Sequence, residues 1–110
     1  MSRLLDDRGL QESFRRGEKA ALEEVYREYS RPLYTTLSRG FLFGVGGVRK
    51  FLNGFSDPHA REDAVQEVFL RAFAPRARLA YDGVTPYRSY LSVIARNILI
   101  DSARMRRQSR

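Results

Sequence analysis

Apolar residues recur along this chain at the 3.6-residue spacing of an α-helix, while the strict alternation of a half-buried strand is missing. The spacing predicts a short helix over residues 9–16, a break at Gly17 and a long helix over residues 18–39. Pro32 lies inside the long segment and predicts a kink rather than a break, because the apolar register continues past it. The predicted core face of this helix comprises Leu22, Val25, Tyr26, Tyr29, Leu33 and Leu37.

Two further helices are marked by their start signals. Asp57 can cap a helix that begins at Pro58 and ends before Pro75, and Thr85 with Pro86 starts a last helix that continues to about Arg107. We therefore predict an all-α fold, a small bundle of about three main helices plus a short N-terminal helix. The predicted core stripes are Val65, Val68, Phe69 and Ala72 in the first helix and Leu91, Ile94, Ala95, Ile98 and Met105 in the last.

The chain has 110 residues and 43% hydrophobic content, which suffices for one domain over residues 1–110. It contains no cysteine, which excludes disulfides and thiolate metal sites, and no apolar run near the length of a membrane span. We expect a cytoplasmic protein without membrane insertion.

The glycine- and phenylalanine-rich stretch over residues 40–56 fits no period and lies between the first and second long helices as an insertion. Its "GVGGVRK" segment lacks the spacing of a phosphate-binding loop. We interpret the insertion as a cap on the core or a contact for another protein.

The positive charge is concentrated in the last third of the chain. Residues 1–70 carry 11 Lys or Arg against 11 Asp or Glu, whereas residues 71–110 carry 9 Arg against 2 Asp. This excess of seven equals the net charge of +7. A one-sided excess of arginine indicates a surface that meets phosphate, although a solvated basic tail has the same composition.

The helix that follows Pro58 carries a second, polar face in which Leu70 is surrounded by Asp63, Gln66 and Glu67. An exposed apolar residue ringed by hydrogen-bonding groups is typical of the centre of a protein interface. Asp63 and Glu67 lack a third ligand, and His59 points elsewhere on the helix, so we predict no enzymatic activity, no metal site and no cofactor.

The last helix carries Tyr90, Asn97, Asp101 and Arg104 along one edge next to its core stripe. An aromatic ring can stack on an unpaired base, an amide can pair with a base edge and arginines can hold the phosphate backbone. The edge therefore indicates contact with single-stranded nucleic acid.

Three segments in order carry a family resemblance: "FRRGEKAALEEVYREYSRPLY", "EDAVQEVFLRAF" and "YRSYLSVIARNILIDSARMRR". Together they resemble region 2 of the extracytoplasmic-function sigma factors, which are small initiation subunits of bacterial RNA polymerase. The resemblance implies that Asp63, Gln66 and Glu67, around Leu70, dock on the clamp coiled coil of the polymerase's beta-prime subunit. An anti-sigma factor is a further candidate partner.

The same resemblance implies that the loop around Tyr81, Asp82 and Gly83, together with Asn97, receives a base flipped out of the promoter's minus-ten element. Tyr90 stands where the family usually has tryptophan, and it keeps an aromatic ring with less stacking area. The candidates for contacts to the backbone of the non-template strand are Arg96, Arg104, Arg106 and Arg107.

Two alternatives stay open. One is a stand-alone helical DNA-binding regulator, although its arginines would be expected at the start of a recognition helix rather than at the end. The other is a protein-interaction fragment without sigma activity. Nothing in the sequence corresponds to the second helical domain (region 4) of a complete sigma factor, and we favour an excised domain over a protein that uses region 2 alone.

Overall fold

A computed structural model describes residues 3–108, with side chains described except at positions 3, 5, 43–45, 50 and 106–108. The elements in chain order are α1 (Arg3–Asp6), α2 (Arg8–Arg16), α3 (Lys19–Arg39), β1 (Phe41–Val45), β2 (Val48–Leu52), α4 (Pro58–Phe73), α5 (Pro75–Ala80) and α6 (Tyr87–Gln108). The predicted all-α bundle is confirmed, with α3, α4 and α6 as its three main helices. In the described range, no helix has the length and hydrophobicity needed to cross a membrane.

Both ends of α2 follow from their capping residues. The Asp7 carboxylate accepts a hydrogen bond from the Leu10 N–H at 3.0 Å, which satisfies a free donor of the first turn. Gly17 ends the helix in the left-handed region at φ 78°, where its N–H donates to the Phe14 carbonyl. The predicted break at Gly17 is thereby confirmed.

The long helix α3 is continuous through Pro32. Proline has no N–H, so one backbone hydrogen bond of the helix is lost there. The Thr36 hydroxyl adds a side-chain hydrogen bond in the next turn by donating to the Pro32 carbonyl at 3.1 Å. The helix then ends at Gly40, whose φ of 92° favours glycine.

A β-hairpin occupies residues 41–52, within the stretch whose apolar residues follow no regular spacing. Its strands are antiparallel, with Phe41 opposite Leu52 and Leu42 opposite Phe51. The turn residues Gly46 and Gly47 both have positive φ, at 58° and 81°, as a two-residue hairpin turn requires. The expectation that strands are missing is wrong here, because three glycines in the stretch hide the alternation.

The core lies between the three main helices and includes a cluster of aromatic rings. Most predicted core positions are confirmed, but Leu22 and Ile94 are only partly buried. The prediction of burial is wrong for Tyr26 and Met105, which are 41% and 67% exposed. Both lie at an edge or end of their stripe, where helical spacing alone cannot tell contact from solvent. The buried residues outside the predicted stripes include Ala21, Ala64, Tyr81, Tyr87 and Leu99.

The connector after α4 contains the short helix α5, which the sequence reading did not predict. Its Arg78 guanidinium donates to the carbonyls of Phe73 and Arg15, each at 2.8 Å, and to that of Phe14 at 3.4 Å. One side chain therefore satisfies carbonyls at the ends of both α2 and α4, which have no partner within their own helices.

Ring contacts show how the helices run relative to one another. The ring of Phe14, near the end of α2, lies 5.7 Å from that of Phe73 and 5.5 Å from that of Tyr87. The end of α2, the end of α4 and the start of α6 therefore meet at one end of the bundle. The 22 residues of α6 span about 33 Å, so its second half reaches the opposite end, where the hairpin joins α3 to α4.

Candidate protein and nucleic-acid interfaces

The four predicted docking residues share one face of α4. Asp63 and Gln66 are exposed, Glu67 is half-buried and Leu70 is 69% exposed. At about 100° per residue, their positions fall within an arc of roughly 100° on the helix. The structure therefore brings together the acidic and amide groups around an exposed leucine.

The charge of Glu67 is partly compensated within α4. Its carboxylate accepts from the Arg71 Nε at 3.2 Å, in a pair one turn apart whose side chains are both substantially exposed. Exposed pairs of this kind contribute about 0–1 kcal/mol to stability. The Glu67 carboxylate can therefore exchange Arg71 for a cation of a partner at little cost.

A shallow apolar groove adjoins Leu70, and the sequence reading did not find it. The Tyr26 ring of α3 packs on the Phe69 ring at 4.8 Å and is itself 41% exposed. Tyr26, Leu70 and Phe73 line the groove together with Gln66. The position of Tyr26 at the margin of its helical stripe was the available signal for this role.

The predicted nucleic-acid edge of α6 is exposed at Asn97, Asp101 and Arg104 and half-buried at Tyr90. Asn97 and Arg104 face solvent, and Tyr90 is half-buried with its ring 5.5 Å from that of Tyr81. From Tyr90 to Arg104 is 14 residues, or about 21 Å of helix. At about 3.4 Å per stacked nucleotide this edge is as long as roughly six nucleotides.

Tyr81 is placed differently from its predicted role in the base-receiving loop. It is 2% exposed, its ring lies 5.0 Å from that of Tyr87 and its hydroxyl donates to the Thr85 carbonyl at 2.6 Å. Burial raises the pKa of Tyr81 to about 12. The ring is part of the core and cannot stack on a base. Tyr81 therefore stabilises the loop from its buried side.

Asp82 is exposed and closes the loop that precedes α6. Its carboxylate accepts from the N–H groups of Val84 and Thr85, at 2.9 and 2.8 Å, and from the Thr85 hydroxyl at 2.7 Å. The Thr85 hydroxyl, followed by these two N–H groups, holds the pKa of Asp82 below its usual value. Gly83 adopts φ 71°, which suits glycine in this tight turn.

The predicted phosphate-binding arginines are described only in part. Arg104 is exposed, and Arg96 is half-buried with its Nε buried and without a hydrogen-bond partner among the described residues. The side chains of Arg106 and Arg107 lie outside the described residues. Within the part of the chain that is described, no three acidic or histidine side chains are grouped so as to hold a metal ion.

Comparison with protein families gives one match. A family model described as sigma-70 region 2 matches residues 25–110, from Val25 within α3 through α6. A search of curated proteins and a search of solved structures each return no match.

The matched family has a defined role in bacterial transcription. Sigma-70 region 2 is a non-enzymatic transcription factor domain that binds core RNA polymerase and recognises promoter DNA. The matched range contains both the α4 face and the α6 edge described above. The three-helix arrangement is consistent with this match, and this chain belongs to the sigma-70 region 2 family.

Proposed function

We propose that this chain is the region 2 domain of an extracytoplasmic-function sigma factor, with residues 1–110 as one domain and residues 40–56 as an insertion. It docks on the clamp coiled coil of the beta-prime subunit of core RNA polymerase. There, in the cytoplasm, it recognises the promoter minus-ten element and melts it by capturing flipped bases of the non-template strand. An anti-sigma factor that covers either surface would regulate it.

The exposed edge of α6 is the observation that carries this proposal. It presents an aromatic ring, an amide and a guanidinium in a row beside a loop that Asp82 holds closed. These groups suit a single strand, because they offer stacking, a base-edge hydrogen bond and a phosphate contact in succession. The arginines lie toward the end of α6 rather than at its start, which disfavours a helix-turn-helix regulator.

Capture of unpaired bases accounts for melting without bond chemistry. Unstacking a base costs a few kcal/mol, and stacking on an aromatic side chain returns about 1–3 kcal/mol per base. Phosphate contacts from the arginines add a salt-dependent contribution. Holding the non-template strand therefore lowers the free energy of the open state toward that of the duplex.

Docking on the polymerase is supported by the α4 face. Leu70 is exposed at its centre, and Asp63, Gln66 and Glu67 supply polar groups around it. An apolar anchor surrounded by polar contacts is the usual composition of a binding hot spot. The acidic character of this face separates it from the arginine-rich DNA edge on α6.

Salt-titrated binding to single-stranded and duplex oligonucleotides that carry candidate minus-ten sequences tests the proposal. We expect a preference for the single strand, a steep loss of affinity as salt rises, and a loss of about 1–3 kcal/mol when Tyr90→Ala removes the stacking ring. Ser89→Ala, on the same helix and also exposed, serves as the matched control. A preference for duplex would support the stand-alone regulator, and no binding would support the protein-interaction fragment.

A further inference from the structure

The hairpin formed by β1 and β2 has no role in the function proposed above. We infer that it is a wing that contacts the phosphate backbone of duplex DNA next to the melted segment. It would extend the DNA-binding surface of α6, so the inference rests on the proposed function. Three features of the hairpin carry it: its position, its charge and the exposure of its outer face and tip.

The hairpin lies at the end of the bundle that the second half of α6 approaches. The ring of Tyr87, at the start of α6, lies 5.2 Å from that of Tyr29 in the middle of α3. From Tyr29 to Arg39 is ten residues, or about 15 Å, whereas α6 extends about 33 Å from Tyr87. The half of α6 that carries Arg104 is therefore long enough to extend beyond the end of α3, where the hairpin begins. DNA held along α6 passes this end of the molecule.

The charge of the segment is complementary to DNA. From Arg39 to Ser56 the chain has no acidic residue, while it carries three cations at Arg39, Arg49 and Lys50. Arg39, at the end of α3, and Arg49, on β2, are both exposed. The rest of the first 70 residues is acidic, so this segment is a local cationic region within a half of the chain whose charges otherwise cancel. A cationic region of this kind attracts the phosphates of nucleic acid.

The outer face of the hairpin is open to a partner. Phe41 and Leu52 pack against the core, which holds the base of the hairpin, whereas Leu42 and Phe51 are each 58% exposed on the opposite face. Arg49 lies opposite Gly44 in the register, so no side chain stands across from its guanidinium.

The tip of the hairpin is equally open. An added Cβ at either turn glycine, Gly46 or Gly47, would meet nothing within 4 Å. A tip without side chains lets backbone N–H groups approach phosphate oxygens closely.

The exposed Leu42 and Phe51 also admit a protein partner, which would bury them. Their direct opposition on adjacent strands already stabilises the hairpin by about 0.2–1 kcal/mol, as cross-strand apolar pairs do. DNA is favoured instead for two reasons. No acidic residue lies among the cations of this segment in the sequence, and the segment lies at the end of the bundle toward which the arginine-bearing half of α6 extends.

The test compares two DNA ligands across a salt series, using the whole 110-residue chain and fluorescence anisotropy. One ligand is a single strand with candidate minus-ten sequence, and the other carries the same strand with a duplex arm, prepared with the arm on either side. The variant Arg39→Gln/Arg49→Gln, called the wing variant, removes two exposed cations, one on the hairpin and one at the end of α3 where the hairpin begins. We expect it to weaken binding of one armed ligand severalfold and to reduce its salt slope by about 0.9 per lost contact. Binding of the single strand should stay unchanged.

The matched control is Arg8→Gln/Arg27→Gln, which removes two exposed cations outside the wing. It should leave the salt slope for the armed ligands unchanged. If the wild type binds the single strand but the wing variant keeps the wild-type slope with both arms, the wing inference is wrong and the proposed function stands. If the wild type binds none of these ligands, both are wrong. Polymerase binding by Leu42→Ser is measured as well. If this variant loses polymerase binding while the wing variant keeps the wild-type salt slope for DNA, the hairpin has a protein partner and the inference is overturned.

Discussion

Single side chains hold together the loop that precedes α6. Asp82 accepts three hydrogen bonds from the two residues that follow Gly83, and Tyr81 anchors the same loop by donating to the Thr85 carbonyl. The resemblance to sigma factors implies that both residues belong to a loop that receives a flipped base. Their side chains instead determine the shape of the loop, so their effect on DNA passes through that shape.

The carboxylate of Asp82 makes this loop sensitive to acid. The Thr85 hydroxyl and two N–H groups hold its pKa below the usual aspartate value of 3.8, so the charged form is favoured in the folded state. A lowered carboxyl pKa contributes stability above the unfolded value of about 3.9, and this is lost as the pH falls through the folded value. We predict that the amide NMR signals of Val84 and Thr85 shift together with a midpoint below pH 3.8.

The variant Asp82→Asn keeps an oxygen acceptor but removes the titrating group. We expect the common midpoint of the Val84 and Thr85 signals to disappear in this variant, while their shifts at neutral pH stay close to those of the wild type. A midpoint that persists in Asp82→Asn, or one above pH 4 in the wild type, would contradict the assignment of the cap to Asp82.

At the scale of elements, the ends of α2, α4 and α5 depend on one another. Arg78 of α5 donates to carbonyls at the ends of both α2 and α4, and Arg15 of α2 donates to the Tyr81 carbonyl at 2.7 Å. Free carbonyls at helix ends need such partners when they are shielded from water. Arg78 belongs to the arginine excess of residues 71–110, which composition attributes to a phosphate-binding or solvated surface, but it is structural, and so is Arg15.

Gly17 stands at the centre of this arrangement. It adopts φ 78°, and a Cβ added there would overlap the Arg78 guanidinium. We predict that Gly17→Ala destabilises the domain by about 1–2 kcal/mol through the left-handed backbone alone, and by more because Arg78 has to move. Urea unfolding followed by circular dichroism measures the change.

Gly46→Ala is the control for Gly17→Ala. It has a positive φ of 58° at the hairpin tip but meets no neighbouring atoms within 4 Å, so it should show only the backbone cost. Equal destabilisation by the two variants would mean that the Arg78 contact contributes nothing to the requirement for glycine at position 17.

At the scale of the whole molecule, the bundle separates residues that hold the fold from residues that meet partners. Leu99 of α6 is 1% exposed, while Leu70 of α4 is 69% exposed on the docking face. The sequence reading placed neither Leu99 in a core stripe nor Tyr26 beside Leu70. Packing between helices decided both placements.

Two leucine substitutions test this separation. Leu99→Ala should cost about 2–5 kcal/mol of unfolding free energy, because it opens a cavity in the core. Leu70→Ala should change stability by no more than about 0.5 kcal/mol. Leu70→Ala should instead weaken binding to an isolated beta-prime clamp coiled coil by about 1 kcal/mol or more, measured by calorimetry. Unchanged coiled-coil binding in Leu70→Ala, with intact folding, would remove the α4 face from the proposed docking site.

The sequence by itself determined the elements that depend on local chemistry. Helical spacing located α2, α3, α4 and α6, and the capping residues Asp57 and Gly17 marked their ends, since these signals act within one or two turns of the chain. The sequence also predicted the edge of α6, because residues three, four and seven apart share a helix face. The grouping around Leu70 was readable in the same way.

Only the tertiary structure decided the features that depend on contacts between distant segments. The burial of Tyr81 depends on Tyr87, and the hairpin at residues 41–52 depends on pairing that its glycines obscure. Arg15 and Arg78 each donate to a carbonyl more than 60 positions away in the chain. An arginine can bind phosphate, or it can donate to the free carbonyls at the ends of helices. Its three-dimensional surroundings decide which of these two arrangements has the lower free energy.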